Sequence, residues 1–244
     1  PEEVLTYYNE SKPTNAVTPV SLWHFDENTG TTATDSEDSN DGTISGELWT
    51  TGVSGSALDF DGSSSHIEIN DNDNLDITQE ITIETWVRPD TLGDAFWHEI
   101  VSKRGIGDTA NYDLRFSKDS GLLQFYWTNP NTNPYGQWQV YSTDNTYANG
   151  VWYHVVATKS GTALPKLYVN GVLQAGSCTY SATDCGCECA MLADSNKVYI
   201  GSGIDSDSNP AYFFNGKMDE VAIYNVVLTH EEIQTRYNES KPQN

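Results

Sequence analysis

Apolar and polar side chains alternate with a period of two through most of the chain. The pattern or its aromatic-rich variant recurs at 20–25, 57–60, 66–69, 81–87, 99–101, 112–116, 122–127, 137–141, 152–158, 166–169, 197–200 and 218–224. A residue every second position on one face is the signature of a half-buried strand. Asp41-Gly42, Asp61-Gly62, Asn149-Gly150, Asn170-Gly171 and Asn215-Gly216 punctuate the stretches, and such dipeptides supply the positive φ angles of tight turns. About a dozen antiparallel strands in one unit predict an all-β, two-sheet jelly-roll sandwich.

Helical periodicity is confined to the two ends. Thr229 and Glu232 have capping-box spacing, and Leu228 and Ile233 fall at the staple positions around them. Residues 2–15 (EEVLTYYNESKPTN) and 231–244 (EEIQTRYNESKPQN) match at ten of fourteen positions, 229 residues apart. Pro13 and Pro242 end each copy as a helix. The duplication predicts a tandem array. Residues 1–17 then form the tail helix and linker of a preceding repeat, 18–228 the sandwich, and 229–244 the C-terminal helix and linker to the next repeat. The chain begins with Pro1 and no leader is visible, which reads as a fragment or processed chain. Asn9 and Asn238 each begin an N-x-S sequon, so both are candidate glycosylation sites.

With 244 residues the chain suits one large sandwich. Lys and Arg number 12 against 35 Asp and Glu, a net charge of -23. That balance argues against nucleic acid or anionic lipid as partner, because both need clustered cations. The sequence has no run of 18 apolar residues, so no membrane insertion is expected. All four cysteines, Cys178, Cys185, Cys187 and Cys189, lie in one short stretch. Two disulfides stapling an insertion at 174–196 fit this better than a four-thiolate metal site, which normally includes Cys-x-x-Cys. Three connectivities are open; Cys178–Cys187 with Cys185–Cys189 is preferred because it avoids a tight Cys-x-Cys ring. This chemistry places the protein outside the cell or on its surface.

Several motifs stand in a fixed order: Leu22-Trp23-His24-Phe25-Asp26-Glu27, Gly55-Ser56-Ala57-Leu58-Asp59-Phe60-Asp61-Gly62, Ile83-Glu84-Thr85-Trp86-Val87-Arg88-Pro89, Trp152-Tyr153-His154-Val155-Val156-Ala157, Leu167-Tyr168-Val169-Asn170-Gly171, and 214–225 ending in Asp219-Glu220-Val221-Ala222-Ile223-Tyr224-Asn225. Over about residues 18 to 237 the order resembles the laminin-G-like, concanavalin A-like lectin/glucanase domains. The resemblance implies two curved antiparallel sheets. It also implies a structural Ca2+ where the first and last strands meet, at Asp26, Asn40, Gly42 and Asp219. The acidic loops at 71–74 and 205–207 read instead as solvated.

Function needs a site as well as a fold. A retaining glucanase requires two close carboxylates, and the Glu-x-Asp-x-x-Glu pattern that supplies them in such strands is absent. Glu84 stands alone, Glu68 precedes Asn70, and Asp219 and Glu220 alternate faces. No catalytic function is expected. Trp23, Trp86 and Trp152 belong to core motifs, whereas Trp49, Trp97, Trp127 and Trp138 are harder to assign. The stretch 125–138 mixes rings with amides, a combination that stacks on sugar faces and bonds hydroxyls. Trp127, Asn131, Tyr135 and Trp138 are therefore the candidate glycan site. The alternative is that Trp127 and Trp138 are cross-strand neighbours filling one sheet. The expected function is a non-catalytic extracellular repeat module for adhesion or for glycan or protein binding. Its partners would be surface glycans or proteins and neighbouring copies of the repeat. A structural stalk or filament of head-to-tail repeats is the alternative.

Overall fold

A computed structural model describes residues 17–46, 48–107, 109–129, 138–181 and 185–242. Its strands are β1 (Ser21–Trp23), β2 (Thr32–Ala33), β3 (Gly42–Ser45), β4 (Leu48–Thr51), β5 (Ser56–Asp61), β6 (His66–Ile69), β7 (Glu80–Pro89), β8 (His98–Arg104), β9 (Ala110–Phe116), β10 (Leu123–Thr128), β11 (Trp138–Thr143), β12 (Tyr153–Ser160), β13 (Lys166–Val169), β14 (Val172–Leu173), β15 (Gly176–Tyr180), β16 (Val198–Ile200), β17 (Gly203–Ile204), β18 (Pro210–Ala211) and β19 (Asn215–Tyr224). A C-terminal helix, α1, spans His230–Ser240.

Among the described residues, one sheet has eight strands in the order β14-β13-β12-β7-β19-β5-β4, with β1 also on β19. The other has nine, in the order β15-β11-β10-β9-β8-β16-β6-β3-β2. The inward residues of both sheets form one core that includes Trp23, Phe60, Tyr112, Phe125, Trp127 and Met218. This is the antiparallel jelly-roll sandwich that the alternation predicts. Asn170 and Gly171, both at positive φ, make the tight turn between β13 and β14.

The helix starts where its capping box predicts. Thr229 accepts from the Glu232 backbone N–H, and the Glu232 carboxylate accepts from the Thr229 N–H. Ile233 and Leu228 are buried with Val156, Tyr168, Ala222 and Tyr224. The helix therefore covers the outer side of the eight-stranded sheet, and among the described residues the outer side of the nine-stranded sheet carries no helix.

Cys178 pairs with Cys187 and Cys185 with Cys189. The cysteine stretch is not a free-standing insertion, however. Its first part is β15, which continues the nine-stranded sheet by pairing Cys178 opposite Tyr141 and Thr179 opposite Val140.

Candidate functional site

The outer side of the nine-stranded sheet carries its chemistry at the middle strands. In β9 and β10 the residues Tyr112, Leu114, Phe116, Leu123, Phe125 and Trp127 face the core. Period-two alternation then turns Asp113, Arg115, Gln124 and Tyr126 outward. The register sets Glu99 of β8 opposite Arg115 and Ser102 opposite Asp113. A bulge between Glu99 and Val101 keeps Glu99 outward although both Ile100 and Val101 are buried in the core.

Two arginines and two carboxylates meet there. Nη1 of Arg104 lies 3.4 Å from Glu99 Oε1 and 3.3 Å from Asp113 Oδ2. Nη1 of Arg115 lies 3.5 Å from each of the same two oxygens. Both carboxylates are fully buried. Burial, and then the Asp113 carboxyl against it, push Glu99 well above the usual carboxylate range despite the pull of Arg115 and Arg104.

Aromatic rings surround the guanidiniums. Arg115 Cζ lies 4.0 Å from the Trp97 ring centroid and 4.7 Å from that of Tyr126. Arg104 Cζ lies 5.4 Å from the Tyr126 centroid and 5.7 Å from that of Tyr212. The Tyr212 carbonyl accepts from the Glu99 N–H, which fixes the β17–β18 hairpin against β8. Trp138 packs on Ala110, Tyr126 and Val140 from the β11 side. Together these groups bound a groove of about 220 Å³. Trp97 and Trp138 are half-buried, and Tyr212 is exposed, so ring surface faces the opening.

A larger cavity, about 670 Å³, lies on the opposite sheet beside α1. Its polar groups are already engaged with one another. His154 is 2.8 Å from Glu84 Oε1, the Tyr224 hydroxyl donates to Glu84 Oε2, and His24 is 2.8 Å from Glu220 Oε2. Arg236 donates to the Val17 carbonyl. This network fastens the helix and the incoming chain to the sheet.

The residues expected from sequence are dispersed. Trp127 is fully buried in the core, and its indole N–H donates to the Cys189 carbonyl. It cannot stack on a sugar. Thr128, not Trp127, pairs with Trp138, so the two indoles lie on opposite faces and do not fill one side together. Trp138 lines the groove; Asn131 and Tyr135 lie outside the described residues.

The Ca2+ set is not assembled. Asp26 Oδ1 accepts from Ser56 N–H and Asp219 Oδ2 from Val53 and Ser54 N–H, so both carboxylates close the β4–β5 hairpin. Asn40 is elsewhere, accepting from the Trp23 indole through its carbonyl and donating to Ser21. A Cβ on Gly42 would strike Ile67 in the packed sheet. Among the described residues no group of three or more His, Cys, Asp or Glu is placed to hold a metal. The 71–74 loop is not simply solvated either: Asp71 pairs with the buried ammonium of Lys103. Asn238 is exposed on α1, and Asn9 lies outside the described residues.

Arg104, Arg115, Tyr126 and Tyr212 were not legible as a site. The available signal was their kind: outward positions of central strands hold Asp, Arg and Tyr where Thr or Ser would serve a bare surface.

A family model described as the concanavalin A-like lectin/glucanases superfamily matches residues 61–234. No curated protein matches the chain. Among solved structures, domain 4 of an extracellular GH43 arabinanase from Geobacillus stearothermophilus, in complex with arabinotriose, superposes with a TM-score of 0.62 at 19% identity, covering 91% of this chain and 98% of that one. The binding domain of Paraclostridial Mosquitocidal Protein 1 superposes with a TM-score of 0.63 at 16% identity, covering 90% of this chain and 51% of that one. A Trypanosoma rangeli sialidase gives 0.62 at 19% identity, with 90% of this chain and 32% of the enzyme covered. This chain thus spans about half of the toxin domain and a third of the sialidase. At these identities the likeness is one of fold. By its family match and its two-sheet architecture, the chain belongs to the concanavalin A-like lectin/glucanase superfamily.

Proposed function

We propose that the protein is a non-catalytic carbohydrate-binding module and that the groove on the nine-stranded sheet is its site. The observation that carries this reading is the set of partly exposed rings, Trp97, Trp138 and Tyr212, around a floor of fixed guanidinium groups. Apolar sugar faces stack on such rings while oriented donors take the hydroxyls. The groove lies in mid-sheet, where every strand already has two neighbours, so it offers no free edge for an added peptide strand. Glu99 and Asp113 are covered and locked to the arginines; they hold the floor and do not face a substrate. The arabinanase domain of like fold was solved with a bound arabinotriose, which is in keeping with this reading. Two disulfides suit an oxidising, extracellular setting.

The test is a glycan array with the intact chain and its Trp138→Ala and Tyr212→Ala variants. Retention on a subset of glycans, reduced about ten-fold or more by either variant, is the expected result. Retention unchanged by both variants, or no retention on any glycan, overturns the site.

A second reading concerns context. The duplicated end segment supports an array of repeats whose partners are neighbouring copies. Arg236 of α1 holds the Val17 carbonyl, so the incoming chain and the outgoing helix run side by side on the eight-stranded sheet. Repeats joined there would all present the other sheet, and repetition would add avidity.

A further inference from the structure

The 11 residues of α1 cover only part of the outer side of the eight-stranded sheet, over Val156, Tyr168, Ala222 and Tyr224. Beside the helix, toward β1 and the 52–56 hairpin, that side holds the cavity of about 670 Å³. Leu22 and Val53 line it and are only half-buried, so apolar surface is left open there. Glu84, His154, Glu220 and His24 in the same cavity pair with one another. A small polar ligand would have to break those pairs to gain its own, whereas a protein surface need only cover the apolar part. Both ends of the described chain reach this cavity. Pro19 lines it two residues after Val17, whose carbonyl Arg236 holds, and Lys241 and Pro242 line it from the end of α1. The duplicated ends then limit how far away an adjoining sandwich can lie. Residues 2–15 recur as 231–244, so Pro242 corresponds to Pro13, and Val17 follows Pro13 by four residues. Four residues reach at most about 14 Å, less than the radius of gyration of about 18 Å expected for a chain of this size. Each end of that short link stands at a cavity rim.

We infer that the cavity beside α1 is the surface on which an adjoining copy of this sandwich docks. The inference rests on the array reading above and deepens it, because it names where consecutive copies touch. The contact is head to tail: Lys241 and Pro242, on the outgoing side of one cavity, meet Pro19 and Leu22, on the incoming side of the next. Such a contact uses two different patches and continues from copy to copy without closing. The short link makes the association intramolecular, so an interface too small to hold a free dimer can close within one chain. The groove on the nine-stranded sheet shares no residue with the cavity and stays outside the contact.

The experiment lengthens the chain by one period: Asn244 is followed directly by a second Ala16–Asn244, which keeps the 229-residue spacing. Hydrogen exchange of this double unit is compared with that of the 244-residue chain. The expected result is exchange slowed about ten-fold or more at the amides of 17–22 and 52–56, with β9 and β10 unchanged. Equal exchange in the two proteins overturns the inference. Ser54→Arg in both copies adds a bulky charge at an exposed position of the cavity lining and should return the double unit to the rates of the single chain. Protection that survives this substitution puts the contact elsewhere and also overturns the inference. If Ser54→Arg fails to fold, small-angle scattering of the unsubstituted double unit decides: one compact separation supports the contact, and a broad distribution of separations overturns it. The coding sequence on either side of this segment tests the array reading by itself. With no further sandwich there, both the array and the inference fall; with one there and no protection in the double unit, only the inference does.

Discussion

Replacing Lys103 by Met removes a cation around which two separate loops, the β6–β7 connection and the segment before β16, are closed. Lys103 is fully buried, and its ammonium lies 2.6 Å from Asp71 Oδ1, 2.9 Å from Asp76 Oδ1 and 3.5 Å from Asp194 Oδ1. It also donates to the Asn196 carbonyl. Burial by itself would lower its pKa, but the hydrogen bonds of Asp71 and Asp76 and the charge of Asp194 outweigh it and hold Lys103 above its ordinary value. Met keeps most of the aliphatic stem, so little packing is lost. What remains is three carboxylates with no counter-charge. Breaking a buried ion cluster from one side costs about 3–5 kcal/mol. For a domain of this size each kcal/mol moves the melting temperature by about 2–4 °C, giving a drop on the order of 10 °C. Because the folded pKa is raised, the stabilisation is complete below the unfolded value of 10.5 and is lost only as pH rises through the folded one. The deficit of the variant should therefore be the same at pH 7 and pH 9. Urea melts of both proteins at the two pH values measure it. A deficit below about 1 kcal/mol would show that the cluster is hydrated and weak, as exposed pairs are, and would refute the reasoning.

Other consequences follow from burial and pairing. Trp127→Ala should destabilise the domain by about 3–5 kcal/mol whether or not a glycan is present, because the indole is core and not site; loss of binding with unchanged stability would contradict this. At Glu84, burial raises the carboxyl but the hydrogen bond and charge of His154, then Arg236 and Tyr224, outweigh it and hold it below its ordinary 4.5. Its stabilisation is present above that value and lost as pH falls through the folded one, so Glu84→Gln should flatten the acid limb of stability against pH; an unaltered limb would place the acid sensitivity elsewhere. Reducing both disulfides should raise hydrogen exchange in β15 and leave β7, β12 and β19 protected, since Cys178 anchors only the sheet edge. Global deprotection would make the staples part of the core's stability.

The strands, the single sandwich, the capped C-terminal helix and the sheltered disulfide chemistry were present in the sequence, because each depends on neighbours a few residues apart. Period two set the faces of β9 and β10, and Thr229 with Glu232 set the helix start. Asp219 and Asp26 could be named as terminal-strand acids, but whether they met a metal or a backbone depended on where the 52–56 hairpin lay. The groove is of the same kind. Glu99, Arg104, Arg115, Tyr126, Trp138 and Tyr212 come from five strands or hairpins, and only cross-strand register and the bulge after Glu99 bring them together. Trp127 and Trp138 make the contrast plain: eleven residues apart and alike in sequence context, they were sent to opposite faces by a one-residue difference in pairing phase. The period fixes which residues share a side, but the side that meets water is decided by the second sheet packing against it.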